Sequence, residues 1–364
     1  MRWSWKLGEF RGIGVYMHAT FLILIAIVVL GHWSEGNDLT RTLQGVLFVL
    51  ALFTCVVLHE FGHALTAARY GIRTRDITLL PIGGVARLER MPREPRQELW
   101  VALAGPAVNV VIAGLLFAWL RLTGRFAPLE QLTVASGPFL ERLLAVNVLL
   151  VAFNLLPAFP MDGGRVLRAL LATRLEYTRA TQIAANVGQG MALLFGFFGM
   201  FYNPFLVFIA LFVWIGAAGE ASMARVAAAL DGIPAARAMV TGFTALSPDE
   251  PLGRAVDHTL AGWQQDFPIV EDDRVVGILT QADLLKGLTQ KGRDARVREV
   301  MQTDFRTVDA SEMMETVFQR MQGCACRTLP VVDGGRLVGL VTTQNVGELV
   351  AIESALTAGR QGAR

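Results

Sequence analysis

Residues 56–70 read VVLHEFGHALTAARY, an apolar run with His59, Glu60 and His63 at its centre. The run reaches from Leu43 to Ala68, longer than the about 20 residues a helix needs to cross a bilayer. A charged group at the middle of a span costs roughly 2.5–3.5 kcal/mol on insertion scales, so ionisable residues there are functional candidates. His59 and His63 are four residues apart and share one helix face. Both imidazoles can reach a single Zn²⁺, with Glu60 beside them to take a proton from the water the metal activates. Two core histidines and a snorkelling glutamate is the plain structural alternative. Only five histidines occur in the chain, and two of them fall at ligand spacing around a glutamate, which weighs against it.

The composition agrees with a membrane setting. Of the 364 residues 53% are hydrophobic and 18% charged, against about a quarter charged in soluble domains. The apolar excess ends near Arg225. The net charge of +2 and the absence of a basic run give no footprint for nucleic acid. Three cysteines make no disulfide framework, and Cys324 and Cys326 are expected as reduced thiols in a cytosolic domain. The N-terminal apolar run has no small-residue cleavage site, so it is read as a retained helix. Six spans are expected: Val15 to Leu30, Leu43 to Ala68, Leu99 to Leu120, Leu143 to Phe159, Ile183 to Phe201 and Pro204 to Ala221. Loops on the side of the termini hold fifteen Lys and Arg residues against four opposite, which places both termini in the cytoplasm. Ile77 to Leu88 is too short to cross. It reads as a strand or re-entrant loop against protein or a water-filled cavity.

Catalytic zinc usually takes three protein ligands and keeps one position open. The fourth span ends NLLPAFPMDGGRVLRAL, and Asp162 there follows Pro157 and Pro160. Spans two and four run in the same direction, so His63 and Asp162 both lie toward the cytoplasmic ends of their helices. Taken alone, Asp162 would read as a helix-capping residue. Together with HEFGH it reads as the third ligand.

These stretches resemble the site-2 protease family of intramembrane zinc metalloproteases. The resemblance rests on HEFGH, on AGPAVN at Ala104 to Asn109, on NLLPAFPMDGGR at Asn154 to Arg165 and on VYMHATF at Val15 to Phe21. It covers roughly residues 1–225. It implies one Zn²⁺ per chain held by His59, His63 and Asp162, with Glu60 as catalytic base. Asn109 and Asn154 match polar positions near the active site. Either could hold substrate or an oxyanion, and either could make a helix-to-helix amide bond. The slight preference is structural for Asn109 and catalytic for Asn154. The implied substrate is a membrane protein with a single transmembrane helix, such as an anti-sigma factor, in a prokaryotic cell membrane. Gly83-Gly84 is a candidate edge strand to pair with the unwound substrate.

Beyond Arg225 the chain repeats itself at an offset of 62: FPIVEDDRVVGILTQAD from Phe267 aligns with LPVVDGGRLVGLVTTQN from Leu329 without a gap. Each copy reads as a short strand, a helix, a strand–turn–strand and a helix, and tandem copies imply a pseudo-twofold pair sharing a core. The repeat resembles a pair of CBS domains over residues 237–350. The resemblance implies ATP, ADP or AMP in clefts between the copies, with Thr280 and Asp283 in the first and Thr342 and Asn345 in the second. Asparagine replaces the ribose-binding aspartate of the family in the second copy, which leaves that site in doubt. Thr280 and Asp283 could equally cap the following helix.

The expected architecture is a polytopic α-helical membrane protein of about six transmembrane helices with a small membrane-associated β segment, plus a soluble α/β tandem CBS module. The expected domains are a protease domain at 1–225, a linker at 226–236, CBS copies at 237–289 and 297–350, and a tail at 351–364. Tandem CBS pairs commonly dimerise, so a homodimer is expected. The rival reading is a transporter or channel gated by the nucleotide-sensing module. It needs polar residues along several spans, whereas here they gather in one constellation.

Overall fold

The computed structural model describes residues 3–34, 36, 38–81, 83–89, 92, 94–124, 137–262, 264–324 and 326–362. Four arginines counted for the orientation, Arg2, Arg90, Arg93 and Arg125, lie outside the described residues. The chain divides into two compact units, Met1–Ala224 and Arg225–Arg364.

The first unit opens with a hairpin, β1 (Ser4–Phe10) and β2 (Ile13–His18), turned at Arg11-Gly12 with positive φ at both residues. Such a turn matches the natural twist of a hairpin. Helices α1 (Phe21–Ser34) and α2 (Leu39–Arg69) follow, then β3 (Thr74–Leu80) and β4 (Gly83–Leu88). The four strands form one sheet in sequence order. β2 runs parallel to β3, and β4 lies at the edge. The unit is completed by α3 (Pro95–Leu122), α4 (Phe139–Asn154), α5 (Asp162–Ala172), α6 (Tyr177–Phe201) and α7 (Phe205–Ala229).

Among the described residues four helices, α2, α3, α6 and α7, are long and apolar enough to cross a membrane. The other two expected spans are shorter, at 14 residues for α1 and 16 for α4. At 1.5 Å per residue these reach about 21 and 24 Å, short of a hydrocarbon core of about 30 Å. The span expected from Val15 starts only at Phe21, because Val15 to His18 belongs to β2, whose Gly14 to Met17 pair with β3. The span expected to Phe159 stops at Asn154. Pro157 disfavours helical backbone at the residue before it, and Ala158 and Phe159 turn inward to full burial. The large side chains left exposed on the long helices, such as Leu115, Trp119, Phe208 and Ile215, are those a bilayer would solvate.

Small residues let the helix backbones approach. A Cβ on Gly62 would lie 2.6 Å from the Ala104 carbonyl oxygen, so α2 touches α3 main chain. Ala184, Ala185, Ala217 and Ala221 surround Phe159 between α6 and α7. Where α3, α5 and α7 meet lies a buried ion cluster that the sequence reading did not anticipate. Arg168 donates from Nε to Glu98 Oε1 at 2.7 Å and from Nη1 to Glu220 Oε2 at 2.9 Å, and its guanidinium also faces the rings of Phe159 and Tyr177.

The second unit continues from the last turn of α7. Its elements are α8 (Ala235–Ala238), α9 (Leu252–Ala261), β5 (Phe267–Glu271), β6 (Arg274–Leu279), α10 (Gln281–Lys291), β7 (Val308–Asp309), α11 (Met314–Cys324), β8 (Thr328–Asp333), β9 (Arg336–Thr342) and α12 (Thr343–Gly362). The offset of 62 holds throughout. The turns Asp272-Asp273 and Gly334-Gly335 both have positive φ. Core residues pair the same way: Leu252 with Met314, Phe267 with Leu329, Ile269 with Val331, Leu279 with Val341 and Leu284 with Val346. The lead-in segments are exchanged. Val240 bridges Leu340 in the second copy, and Gln302 bridges Ile278 in the first. Neither copy therefore closes its core without the other. Cys324 and Cys326, expected as reduced thiols, are joined as a disulfide, with their Cα atoms 5.1 Å apart.

Removing Arg168 would strand a buried carboxylate, a change that costs about 3–5 kcal/mol. Arg168→Leu should lower the thermal unfolding midpoint of detergent-solubilised protein sharply, and adding Glu98→Gln should recover much of the loss. Equal melting of the single and double variants would show that the two side chains are not coupled.

Candidate metal centre

His59 and His63 lie on consecutive turns of α2, and Asp162 opens α5. All three are at most 7% exposed. Their ligand atoms form a triangle: His59 Nε2 to Asp162 Oδ2, His63 Nε2 to Asp162 Oδ2, and His59 Nε2 to His63 Nε2 are each 3.1 Å. Among the described residues this is the one group of three such side chains that could hold a metal ion.

The chemistry of these donors fits zinc. His63 Nδ1 lies 2.7 Å from the Val101 carbonyl oxygen, which can only accept, so Nδ1 carries the hydrogen. His59 Nδ1 lies 2.5 Å from Asn109 Oδ1 and is protonated in the same way. In neutral imidazole the second nitrogen is then bare. In that neutral form two nitrogen lone pairs and a carboxylate oxygen would converge on one point. A triangle of this size suits a cation about 2.0–2.2 Å from each donor. Partners on the far ring nitrogen are what hold ligating histidines in register.

The site depends on absent side chains. A Cβ on Gly105 of α3 would lie 2.2 Å from His63 Nε2 and 2.6 Å from His59 Nε2. A Cβ on Gly163 would lie 2.2 Å from the Leu156 carbonyl oxygen, so only glycine lets the turn before Asp162 fold back on α5. Glu60 is half-buried beside the triangle, and a Cβ on Gly84 of β4 would lie 2.9 Å from its Cγ. The edge strand thus runs past the carboxylate. Arg165 Nη1 is 3.9 Å from Asp162 Oδ1.

The structure brings His59, Glu60, His63, Asp162 and Asn109 together. Asn154 instead donates to the Leu150 carbonyl of its own helix. Gly105 and the Val101 carbonyl were not anticipated. The signal for Gly105 is its spacing of four from Asn109, which puts both on one face of α3.

In the second unit Thr280 Oγ1 caps α10 by accepting from Asp283 N, and it donates to Asp283 Oδ2. Gln302 Nε2 donates to the same Oδ2. Thr280 lines a cavity of about 500 Å³ with Gln302, Asp304, Phe305 and Arg306. Thr342 lines a smaller one of about 230 Å³. Asn345 donates its backbone N–H to Thr342 Oγ1, and its own Oδ1 is buried without a partner. Asp266 and Thr328, equivalent at the offset of 62, share a 2.7 Å hydrogen bond and border both cavities. Small-molecule sites usually span about 300–1,000 Å³, so the first cavity is large enough and the second is not.

Comparison with known proteins places these features. The sequence profile of Peptidase family M50 matches residues 47–136 and 130–195. The CBS domain profile matches residues 235–290 and 297–350. A zinc metalloprotease of Methanocaldococcus jannaschii is 33% identical over 353 residues, covering 97% of each chain. A CBS domain-containing protein of Bacillus subtilis is 31% identical over 105 residues, 28% of this chain and 75% of that one. The solved site-2 protease from Methanocaldococcus jannaschii is 38% identical and covers 60% of this chain and 95% of that one, with a TM-score of 0.45.

Gly105→Ala should abolish stoichiometric zinc binding, read by atomic absorption on protein purified without added metal. The new methyl would overlap both ligand nitrogens. A variant with full zinc content would show that the helices can part at no cost.

Proposed function

Because the chain belongs to Peptidase family M50 and carries a CBS-domain pair, and so is a membrane-embedded zinc metalloprotease, we propose that His59, His63 and Asp162 hold its zinc and that Glu60 is its catalytic base. The triangle of donor atoms, each within 3.1 Å of the other two, carries this reading. Zinc held there supplies a Lewis acid that polarises a scissile carbonyl and acidifies water. Glu60 accepts a proton from the attacking water and passes it to the leaving amine nitrogen as the peptide C–N bond breaks. Asn109 and Val101 hold the two imidazoles in the tautomer that leaves Nε2 bare. The close passage of Gly84 keeps β4 beside the Glu60 carboxylate. A helical substrate must unwind before its backbone can be cut. An unwound segment added to the β4 edge would pass Glu60 in extended form. Asn154 remains a candidate for holding that segment.

The substrate is a membrane protein with a single transmembrane helix, an anti-sigma factor being one example. The protein sits in the cell membrane with both termini in the cytoplasm, as the asymmetry of Lys and Arg supports. The domain limits stand as 1–225, 237–289 and 297–350. The CBS pair binds an adenine nucleotide in the larger cavity and thereby tunes cleavage; Thr280, on its wall, would serve phosphate, and Asp283, bonded to Thr280 behind that wall, ribose hydroxyls. Of Thr342 and Asn345, Thr342 lines the smaller cavity, too tight for the same ligand. The pair also serves to dimerise the chain. Membership of a peptidase family disfavours a gated transporter or channel.

Glu60→Gln should keep about one zinc per chain and lose about 10²–10⁴-fold in cleavage of a model transmembrane substrate. Undiminished cleavage would remove Glu60 from the mechanism. In calorimetry on the full-length protein, AMP or ATP should bind at about one site per chain, and Asp283→Ala should weaken it. No heat with either nucleotide would leave the CBS pair a structural role alone.

A further inference from the structure

The two ligating histidines are held by partners of different kinds. The Val101 carbonyl can only accept, so it fixes the tautomer of His63 unaided. Asn109 is an amide. Turned over, it would offer Nδ2 to His59 Nδ1, drive the hydrogen onto Nε2 and cancel that nitrogen as a ligand. Something must hold the Asn109 amide one way round.

Asn147 does so by its position. It is fully buried on α4 and takes no part in the chemistry described above. Its Nδ2 donates to the Leu143 carbonyl at 2.8 Å and lies 3.5 Å from Cys55 Sγ, so both amide hydrogens are engaged. Its Oδ1 accepts from Asn109 Nδ2 at 2.8 Å. Reversing Asn147 would set its oxygen against the Leu143 carbonyl, acceptor against acceptor. The backbone of α4 thus orients Asn147, Asn147 orients Asn109, and Asn109 orients His59.

We propose that Asn147 is a positioning residue that, through Asn109, locks His59 in the tautomer with a bare Nε2, so that α4 sets the metal affinity of a ligand on α2. This rests on the reading of His59, His63 and Asp162 as zinc ligands. It also gives α4 a task other than crossing the membrane.

The test measures zinc dissociation constants of the full-length protein in detergent by competition with a chelator. Asn147→Leu, similar in size, should bind zinc about 10–100-fold more weakly. Asn147→Asp, neutral in this buried place, keeps an acceptor for Asn109 and an O–H for Leu143, and should stay within a few-fold of wild type. Adding Asn109→Asp to Asn147→Leu should recover the affinity, because a carboxylate facing His59 has no donor to turn toward it. If Asn147→Leu does not fold, Asn147→Ala takes its place with the same expected loss. Wild-type affinity in the leucine or alanine variant would overturn the proposal, as would an aspartate variant as weak as the leucine one or a double variant that recovers nothing. A wild-type protein that binds no zinc would instead overturn the ligand assignment beneath it.

Discussion

Two imidazole nitrogens and a carboxylate oxygen stand 3.1 Å apart in the buried interior, and the rest of the membrane unit is arranged to hold them there. Gly62 lets α2 press on α3, Gly105 clears the space in front of both rings, and Gly163 lets the chain before Asp162 fold tightly against α5. Arg168 then ties α5 to α3 through Glu98 and to α7 through Glu220. The helix carrying Asp162 is fixed from behind by the same kind of buried charged group that it carries in front.

The features legible in the sequence were the local ones. HEFGH declares itself because i, i+4 spacing on a helix is a geometric certainty once the helix is granted, and four of the expected spans are long apolar helices. Asp162 was legible because its flanking prolines and glycines mark a break at one depth. What failed depended on pairing between distant segments. Val15 to His18 is apolar and adjoins an apolar helix, so it read as the start of that helix, whereas β3 some sixty residues on claims it as a strand. The ion cluster draws Glu98, Arg168 and Glu220 from three helices, and no window of sequence shows them together. Asn109 was read as a helix-to-helix amide. It is one, through Asn147, and it also holds His59.

The second unit was legible for another reason: a repeated sequence reveals a repeated shape without any knowledge of contacts. The offset of 62 predicted matching cores, and the buried residues pair at that offset. It did not reveal the exchange of lead-in segments, since a segment can complete its own copy or its neighbour's with the same residues. The exchange has a consequence for regulation. Each cavity is bordered by both copies, so a ligand in the larger one touches Thr280 of the first and Arg327 of the second and would stabilise the pair as a whole.

Charge gives the last reason for the metal. Asp162 brings a carboxylate into a buried region, and Glu60 stands half-buried beside it. Burying charge without compensation is among the costliest acts in folding. Arg165 approaches Asp162 only to 3.9 Å, and Arg168 is committed to Glu98 and Glu220. Asp162 gains some relief as the first residue of α5, where the helix dipole favours a carboxylate, though that is worth only about 0.3–1 kcal/mol at exposed sites. A divalent cation bound to the three donors would offset this buried charge and take up their lone pairs. On the proposed ligand set, the residues that make burial costly would be the ones to give the metal its affinity, and the orientation of His59 by Asn109 would bear on how much of it is realised.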